Sequence, residues 1–132
     1  MNIGEAARGS GVSAKMIRHY ESIGLLPQAT RSDAGYRRYT DADLHTLRFI
    51  RHARDLGFDL ETIGALVSLW QDRGRESREV KRLANAHITA LREKLDQLQK
   101  MIGALEQLTA CCHGDDRPEC PILDELAGVE HA

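Results

Sequence analysis

Residues 1–24 read MNIGEAARGSGVSAKMIRHYESIG, and this stretch decides the fold. Residues 3–8 can form a short helix with Asn2 as its N-cap. The glycine-rich turn that follows breaks this helix, and Ser13 then caps a second helix over residues 14–23. Two helices joined by a short turn that contains glycine are typical of a helix-turn-helix unit.

The two helices divide their residues between an inner and an outer face. Lys15, Arg18 and His19 lie on the outward face of the second helix. The apolar positions can pack into one small core: Ile3, Ala6, Ala7, Val12, Met16, Ile17 and Tyr20. Short helix pairs of this kind also occur in many proteins that never touch DNA, so the pattern alone assigns no function.

Residues 27–39 predict a small β hairpin, or wing. The run SDAG at 32–35 is typical of a tight turn, and YRRY at 36–39 is typical of a strand with alternating faces. Residues 1–58 carry nine Lys/Arg and six Asp/Glu, a net charge of +3, which leaves −5 for residues 59–132. A mildly basic head suits phosphate contact, although an ordinary solvated surface can carry the same small excess.

Two amphipathic helices are predicted after the wing. Thr40 and Asp43 form a capping-box pair that opens a third helix, which runs to about residue 56. A fourth helix covers about residues 60–71. Their inner faces are predicted to carry Leu44, Leu47, Ile50, Ala53, Ile63, Leu66, Val67 and Trp70.

The longest predicted helix begins near Ser77, which can cap it, and carries a narrow apolar stripe. The stripe advances in steps of four and three residues, the spacing of a coiled-coil seam. Its members are Ala84, Ile88, Leu91, Leu95, Leu98, Ile102 and Leu105. A helix cannot bury such a stripe against itself, so we expect the same helix of a second copy to cover it. Packing back onto the third and fourth helices is the alternative.

Two cysteines near the C-terminus, Cys112 and Cys120, are separated by seven residues. This spacing is too long for a redox Cys-x-x-Cys pair and too sparse for a four-ligand zinc finger. Two thiolates without another protein donor suit a soft monovalent ion such as Cu(I). Pro121 suits the first position of a short helix, which places Cys120 at the positive end of that helix. The alternative is a surface loop whose cysteines are incidental or disulfide-bonded.

Composition narrows the classes of protein to consider. No apolar run is long enough for a signal peptide or a membrane span, so we expect a cytoplasmic protein with no membrane partner, whose thiols stay reduced. Aromatic residues make up 5% of the chain, which argues against a ligand pocket lined by rings. We expect no enzyme, because no acid–base pair or nucleophile–base constellation can be placed on these helices.

These elements, in this order, resemble the MerR family of bacterial transcription regulators across essentially the whole chain. The resemblance is carried by MNIGE at 1–5, AKMIRHYE at 14–21, GLL at 24–26, RSDAGYRRY at 31–39 and RDLGF at 54–58. Ser77 followed by Cys112-x7-Cys120 resembles the CueR-type copper-efflux branch, which senses monovalent copper, silver or gold.

The resemblance implies an all-α fold with a small β wing. Its parts are a winged helix-turn-helix head with connecting helices at 1–72, a long antiparallel coiled-coil dimerisation helix at 73–110, and a metal-binding loop, short helix and tail at 111–132. The implied DNA-binding set, together with the outward-facing His19, is Lys15, Arg18, His19, Tyr20, Arg31, Tyr36, Arg37 and Tyr39. The alternative for the three tyrosines is a place in the core or in a turn.

The resemblance makes Cys112 and Cys120 the ligands of Cu(I), with Ag(I) and Au(I) as further candidates. Ser77 of the other subunit replaces a cysteine that divalent-ion sensors of the family carry, so a 2+ ion would lack its third ligand. The implied protein is a homodimeric activator that stays on a pseudo-palindromic operator and distorts promoter DNA for RNA polymerase. Two alternatives remain: a zinc, lead or mercury sensor that uses Cys111 and His113, and a copper-storing or chaperone protein.

Overall fold

The computed structural model describes residues 1–27, 30–31, 37–72, 74, 76–111, 114 and 120–128, with the backbone alone at 30, 31 and 37. It divides into two compact units, Met1–Ala84 and Asn85–Ala132. The elements are α1 (Ile3–Ser10), α2 (Ala14–Ser22), β1 (Thr30–Arg31), β2 (Arg37–Arg38), α3 (Asp41–Asp55), α4 (Leu60–Gln71), α5 (Ser77–Cys111) and α6 (Pro121–Leu126). The helical fold is confirmed, while the domain limits at 72 and 110 stay a prediction.

The predicted caps of the helix-turn-helix unit are present. Asn2 Oδ1 accepts a hydrogen bond from the Glu5 backbone N–H at 2.8 Å, and the Glu5 side chain accepts one from the Asn2 backbone N–H at 3.4 Å. Ser13 Oγ accepts a bond from the Met16 N–H at 3.2 Å and caps α2. The first helix runs past the predicted end, because the chain turns at Gly11, whose φ of +74° is left-handed.

The first unit has one apolar core, to which α1, α2, α3 and α4 contribute. Ile17, Leu47, Ile50 and Ile63 are fully buried in it, as the helical spacing predicts. Leu26 is also fully buried, although the sequence did not place it in the core. The core cluster consists of Ala6, Val12, Ile17, Tyr20, Leu26, Tyr39, Leu47, Ile50, Ala53, Ile63 and Val67.

The predicted inward position of Trp70 is wrong. Its side chain is 41% exposed, in the last turn of α4, and its ring stacks on Phe49 with centroids 4.6 Å apart and planes 12° from parallel. Phe49 is itself only partly buried, so the stack lies at the margin of the core. Helical spacing correctly predicts that Trp70 faces α3, but it does not predict that the core ends before the last turn of α4.

The predicted wing is present as a short antiparallel pair of strands. Thr30 pairs with Arg38 and Arg31 pairs with Arg37. The turn predicted at residues 32–35 lies outside the described residues. A single two-stranded hairpin is only marginally stable by itself in water, so the wing depends on its attachment to the rest of the unit.

The longest helix, α5, has 35 residues and none of them is buried. It begins at Ser77 itself, so Ser77 is its first residue and not the cap that the sequence predicts. Near its start, the hydrogen bond from Arg82 lowers the pKa of Glu79. No helix within the described part of the chain is both long enough and apolar enough to span a membrane.

Candidate functional site

The outward face of α2 forms the basic part of the site. Lys15, Arg18 and His19 are exposed on this helix, as predicted, while Ile17 and Tyr20 on its other side are buried. Lysine and arginine side chains on one exposed helix face can donate to phosphate oxygens and to acceptors on base edges.

Two predicted DNA-contacting tyrosines lie in the core. Tyr20 and Tyr39 are each 3% exposed, and the Tyr39 hydroxyl donates a hydrogen bond to the Glu21 carboxyl. The structure therefore places both rings in the core, the alternative that the sequence left open, because they pack among the apolar side chains between the helices. The sequence analysis did not identify Glu21 as part of the site. Its position on the inner side of α2, beside Tyr20, could have indicated that the carboxyl group is buried.

The wing brings three arginines close together along the backbone. Arg31 and Arg37 are directly opposite each other on β1 and β2, and Arg38 is exposed next to them. The backbone register therefore places three arginine positions side by side on the two strands. Tyr36, which the sequence assigned to the same surface, lies outside the described residues.

Two arginines of α3 that the sequence left unassigned support the helix-turn-helix turn. Arg48 Nε donates to the carbonyl oxygen of Gly9 at 3.2 Å, and the Arg51 guanidinium occupies the space that a Cβ on Gly11 would need. Both cations lie at the C-terminal end of α1, where positive charge interacts favourably with the negative end of the helix dipole. They hold the turn, and with it the start of α2, against α3.

The predicted metal-binding loop is described at Cys111, Gly114 and Cys120. Cys111 ends α5 as an exposed free thiol, and Cys120 is a half-buried free thiol immediately before α6, with Pro121 as the first residue of that helix, as predicted. Cys112 and His113 lie outside the described residues. Within the described residues, no three His, Cys, Asp or Glu side chains form a group that could hold a metal.

An open cavity of about 460 Å³ lies between the end of α5 and the start of α6. Cys111 and Pro121 both line it, so Cys111 reaches the same region as the chain next to Cys120. The remaining lining residues are Ala104, Gln107, Leu108 and Glu125.

Ser77, the predicted selectivity residue, is exposed at the start of α5. It shares an open hollow of about 480 Å³ with Glu76, Arg78 and Lys81. Two cationic side chains and one carboxylate give this hollow a local charge of +1 at neutral pH. A hydroxyl in this setting adds no negative charge for a metal ion.

Two family models match the chain. The model described as MerR HTH family regulatory protein matches residues 1–70, and the model described as MerR, DNA binding matches residues 44–108. The first match covers the elements from α1 to α4, and the second extends along most of α5.

Several known proteins are similar to the chain over almost its full length. Heavy metal-dependent transcription regulator 2 of Rhizobium meliloti (strain 1021) is 55% identical over 127 residues, covering 96% of this chain and 86% of that protein. HTH-type transcriptional regulator CueR of Escherichia coli O6:H1 is 40% identical over 131 residues, covering 99% and 97%. The crystal structure of PbrR691 from Ralstonia metallidurans CH34 in complex with lead(II) superposes with a TM-score of 0.82 at 34% identity, covering 96% and 98%.

Proposed function

The chain belongs to the MerR family of helix-turn-helix regulators, and from this premise we propose that it activates copper-efflux genes when its C-terminal loop binds Cu(I). Membership makes it a DNA-binding transcription regulator and not an enzyme, and its similarity to heavy metal-dependent regulators makes it metal-responsive. The choice of copper, the ligands and the mode of activation are the proposal.

The observation that carries the proposal is the donor set. Cys120 supplies a half-buried thiol at the start of α6, and only a hydroxyl stands at Ser77. With Cys112 as the second ligand, two thiolates satisfy Cu(I), Ag(I) or Au(I), whereas Zn(II) requires further donors. The 40% identity with CueR supports the same choice.

The exposed stripe of α5 supports a homodimer. Six leucine and isoleucine side chains, from Ile88 to Leu105, keep between 44% and 55% of their surface exposed in the single chain. Apolar side chains spaced by four and three residues along one helix face require a partner helix. An antiparallel pairing of two copies of α5 would cover both stripes and relate the two DNA-binding heads by twofold symmetry, which suits a pseudo-palindromic operator.

On the operator, the exposed face of α2 would enter the major groove and the wing would grip the backbone. Lys15, Arg18 and His19 supply donors on α2, and Arg31 and Arg37 supply them on the wing. Metal binding can switch transcription only if it favours a conformer that distorts the promoter. Bending and untwisting a promoter costs on the order of several kcal/mol, which protein contacts must offset before RNA polymerase can engage both promoter elements.

A divalent-metal sensor is the second candidate. The structural similarity to PbrR691 in complex with lead(II) favours it, and so does the place of Cys111 at the cavity beside Pro121. His113 would be a further donor. A storage or chaperone role has no such support, because the chain belongs to a family of transcription regulators.

Paired cysteine variants test the proposal. Cys112→Ser and Cys120→Ser should each abolish Cu(I)-dependent transcription in vitro and retain operator binding in a gel-shift assay, because each removes one of two thiolates. Cys111→Ser is the matched control and should respond to Cu(I) like the wild type. A full Cu(I) response in Cys120→Ser, or its loss in Cys111→Ser alone, would overturn the ligand assignment.

A further inference from the structure

A buried polar contact joins the wing to α2, the recognition helix that is proposed to enter the major groove. The Tyr39 hydroxyl donates to the Glu21 carboxyl, and the two residues are 3% and 9% exposed. Glu21 lies in the last turn of α2, and Tyr39 directly follows β2. The contact therefore links the two surfaces that are proposed to touch DNA, from inside the core.

A carboxyl group in an apolar core is unfavourable unless it is hydrogen-bonded, so the position of Glu21 constrains Tyr39 and the reverse. The backbone of Tyr39 is held as well, because its N–H donates to the carbonyl oxygen of Met1 at 2.7 Å. The next residue, Thr40, caps α3. Tyr39 is thus fixed through its hydroxyl and its backbone at the point where the wing rejoins the helices.

The wing needs such an anchor. It is a two-stranded hairpin, and an isolated hairpin is marginally stable at best in water, so it does not hold its own orientation. A wing that is free to move would lose conformational entropy on binding DNA, which weakens affinity. An anchored wing has already lost that freedom during folding.

We propose that the Glu21–Tyr39 contact is a positioning element for DNA binding, which sets the wing relative to the recognition helix so that both surfaces reach the operator together. Neither side chain contacts DNA in this account. The inference rests on the proposed assignment of the wing as a DNA-contacting surface.

Three variants test this contact. Tyr39→Phe keeps the ring and removes the hydroxyl, and Glu21→Met keeps the length of the side chain and removes the acceptor. Glu21→Gln is the matched control, because its amide oxygen still accepts a bond from Tyr39 while the charge is lost. Each protein is measured as the full chain, below its melting temperature, by gel-shift titration at several salt concentrations and by hydroxyl-radical footprinting.

We expect Tyr39→Phe and Glu21→Met to bind the operator roughly tenfold more weakly, because the wing must then be ordered on binding and no longer during folding. Their binding should depend less steeply on salt, by about one phosphate contact per subunit, and the protection of the DNA backbone beside the wing should be lost. Glu21→Gln should retain that protection. Arg37→Ala, combined with Tyr39→Phe, should weaken binding less than it does in the wild type, because both changes disengage the same wing.

Three results would overturn the proposed positioning role of the Glu21–Tyr39 contact. Wild-type affinity and salt dependence in Tyr39→Phe, combined with a lowered melting temperature, would reduce the contact to a core interaction and overturn the inference. Weak binding in Tyr39→Phe with normal binding in Glu21→Met would also overturn it, because the hydroxyl would then act elsewhere. If Arg37→Ala alone leaves binding unchanged, the wing assignment itself is wrong and the inference fails with it. If Glu21→Met does not fold, the double-mutant cycle of Tyr39→Phe and Arg37→Ala tests the inference by itself, and additive effects on operator binding would overturn it.

Discussion

Replacing Leu95 by aspartate should dissociate the proposed dimer. Leu95 lies in the middle of the α5 stripe and is 55% exposed in the single chain. Covering the remaining half of a leucine side chain stabilises by about 1 kcal/mol, and the substitution removes that from each copy. Burying a polar group in its place costs at least about 2 kcal/mol per copy. Two copies together lose about 6 kcal/mol, which weakens the dimer roughly 10⁴-fold.

The assay is sedimentation velocity over a concentration series, with operator binding measured on the same samples. Gln97→Asp is the matched control: Gln97 is exposed on the same helix outside the stripe, so it introduces the same acid without entering the seam. We expect the control to remain dimeric and Leu95→Asp to become monomeric and to lose operator binding. A Leu95→Asp protein that sediments as a wild-type dimer would place the interface elsewhere and refute the reasoning.

Single substitutions in the DNA-binding head and at the start of α5 should each change one measurable property. Arg18→Ala should weaken operator binding at least several-fold and reduce its salt dependence by about one phosphate contact per subunit, with an unchanged melting temperature, as gel shifts and thermal unfolding would reveal. Asn2→Ala should lower the free energy of unfolding by about 1 kcal/mol, because it removes one side of the α1 capping box, and urea unfolding measures this loss. Ser77→Cys should raise the transcriptional response to Zn(II) or Hg(II), because it adds a thiolate, and a response to Cu(I) alone would contradict the role of Ser77.

Local rules predicted most of the helical architecture. The predicted N-cap at Asn2 and the predicted capping box of Thr40 with Asp43 are both present, and α4 spans the predicted residues 60–71. Helix caps and helix ends depend on residues that are close together in the chain, so the sequence alone is enough to predict them. The outward face of α2 was predictable for the same reason, since the helical period places Lys15 and Arg18 opposite the core.

Long-range packing was less predictable. The Tyr39–Glu21 contact joins residues 18 positions apart in the chain, and whether a tyrosine faces DNA or the core depends on what packs around it. Trp70 was assigned inward from periodicity, yet the extent of the core beneath it depends on α3. For the metal loop, the helix after Cys120 was predictable from Pro121, whereas the pairing of Cys120 with Cys112 remains a prediction.

The metal selectivity of transcription tests the central claim most directly. In vitro transcription by the wild-type protein from its own promoter would be measured against buffered free concentrations of Cu(I), Ag(I), Zn(II), Pb(II) and Hg(II). Because the proposed donors are two thiolates and no third, we predict activation by Cu(I) and Ag(I) and none by the divalent ions. Activation by Zn(II) or Pb(II) without a response to Cu(I) or Ag(I) would contradict the proposal and direct attention to Cys111 and His113.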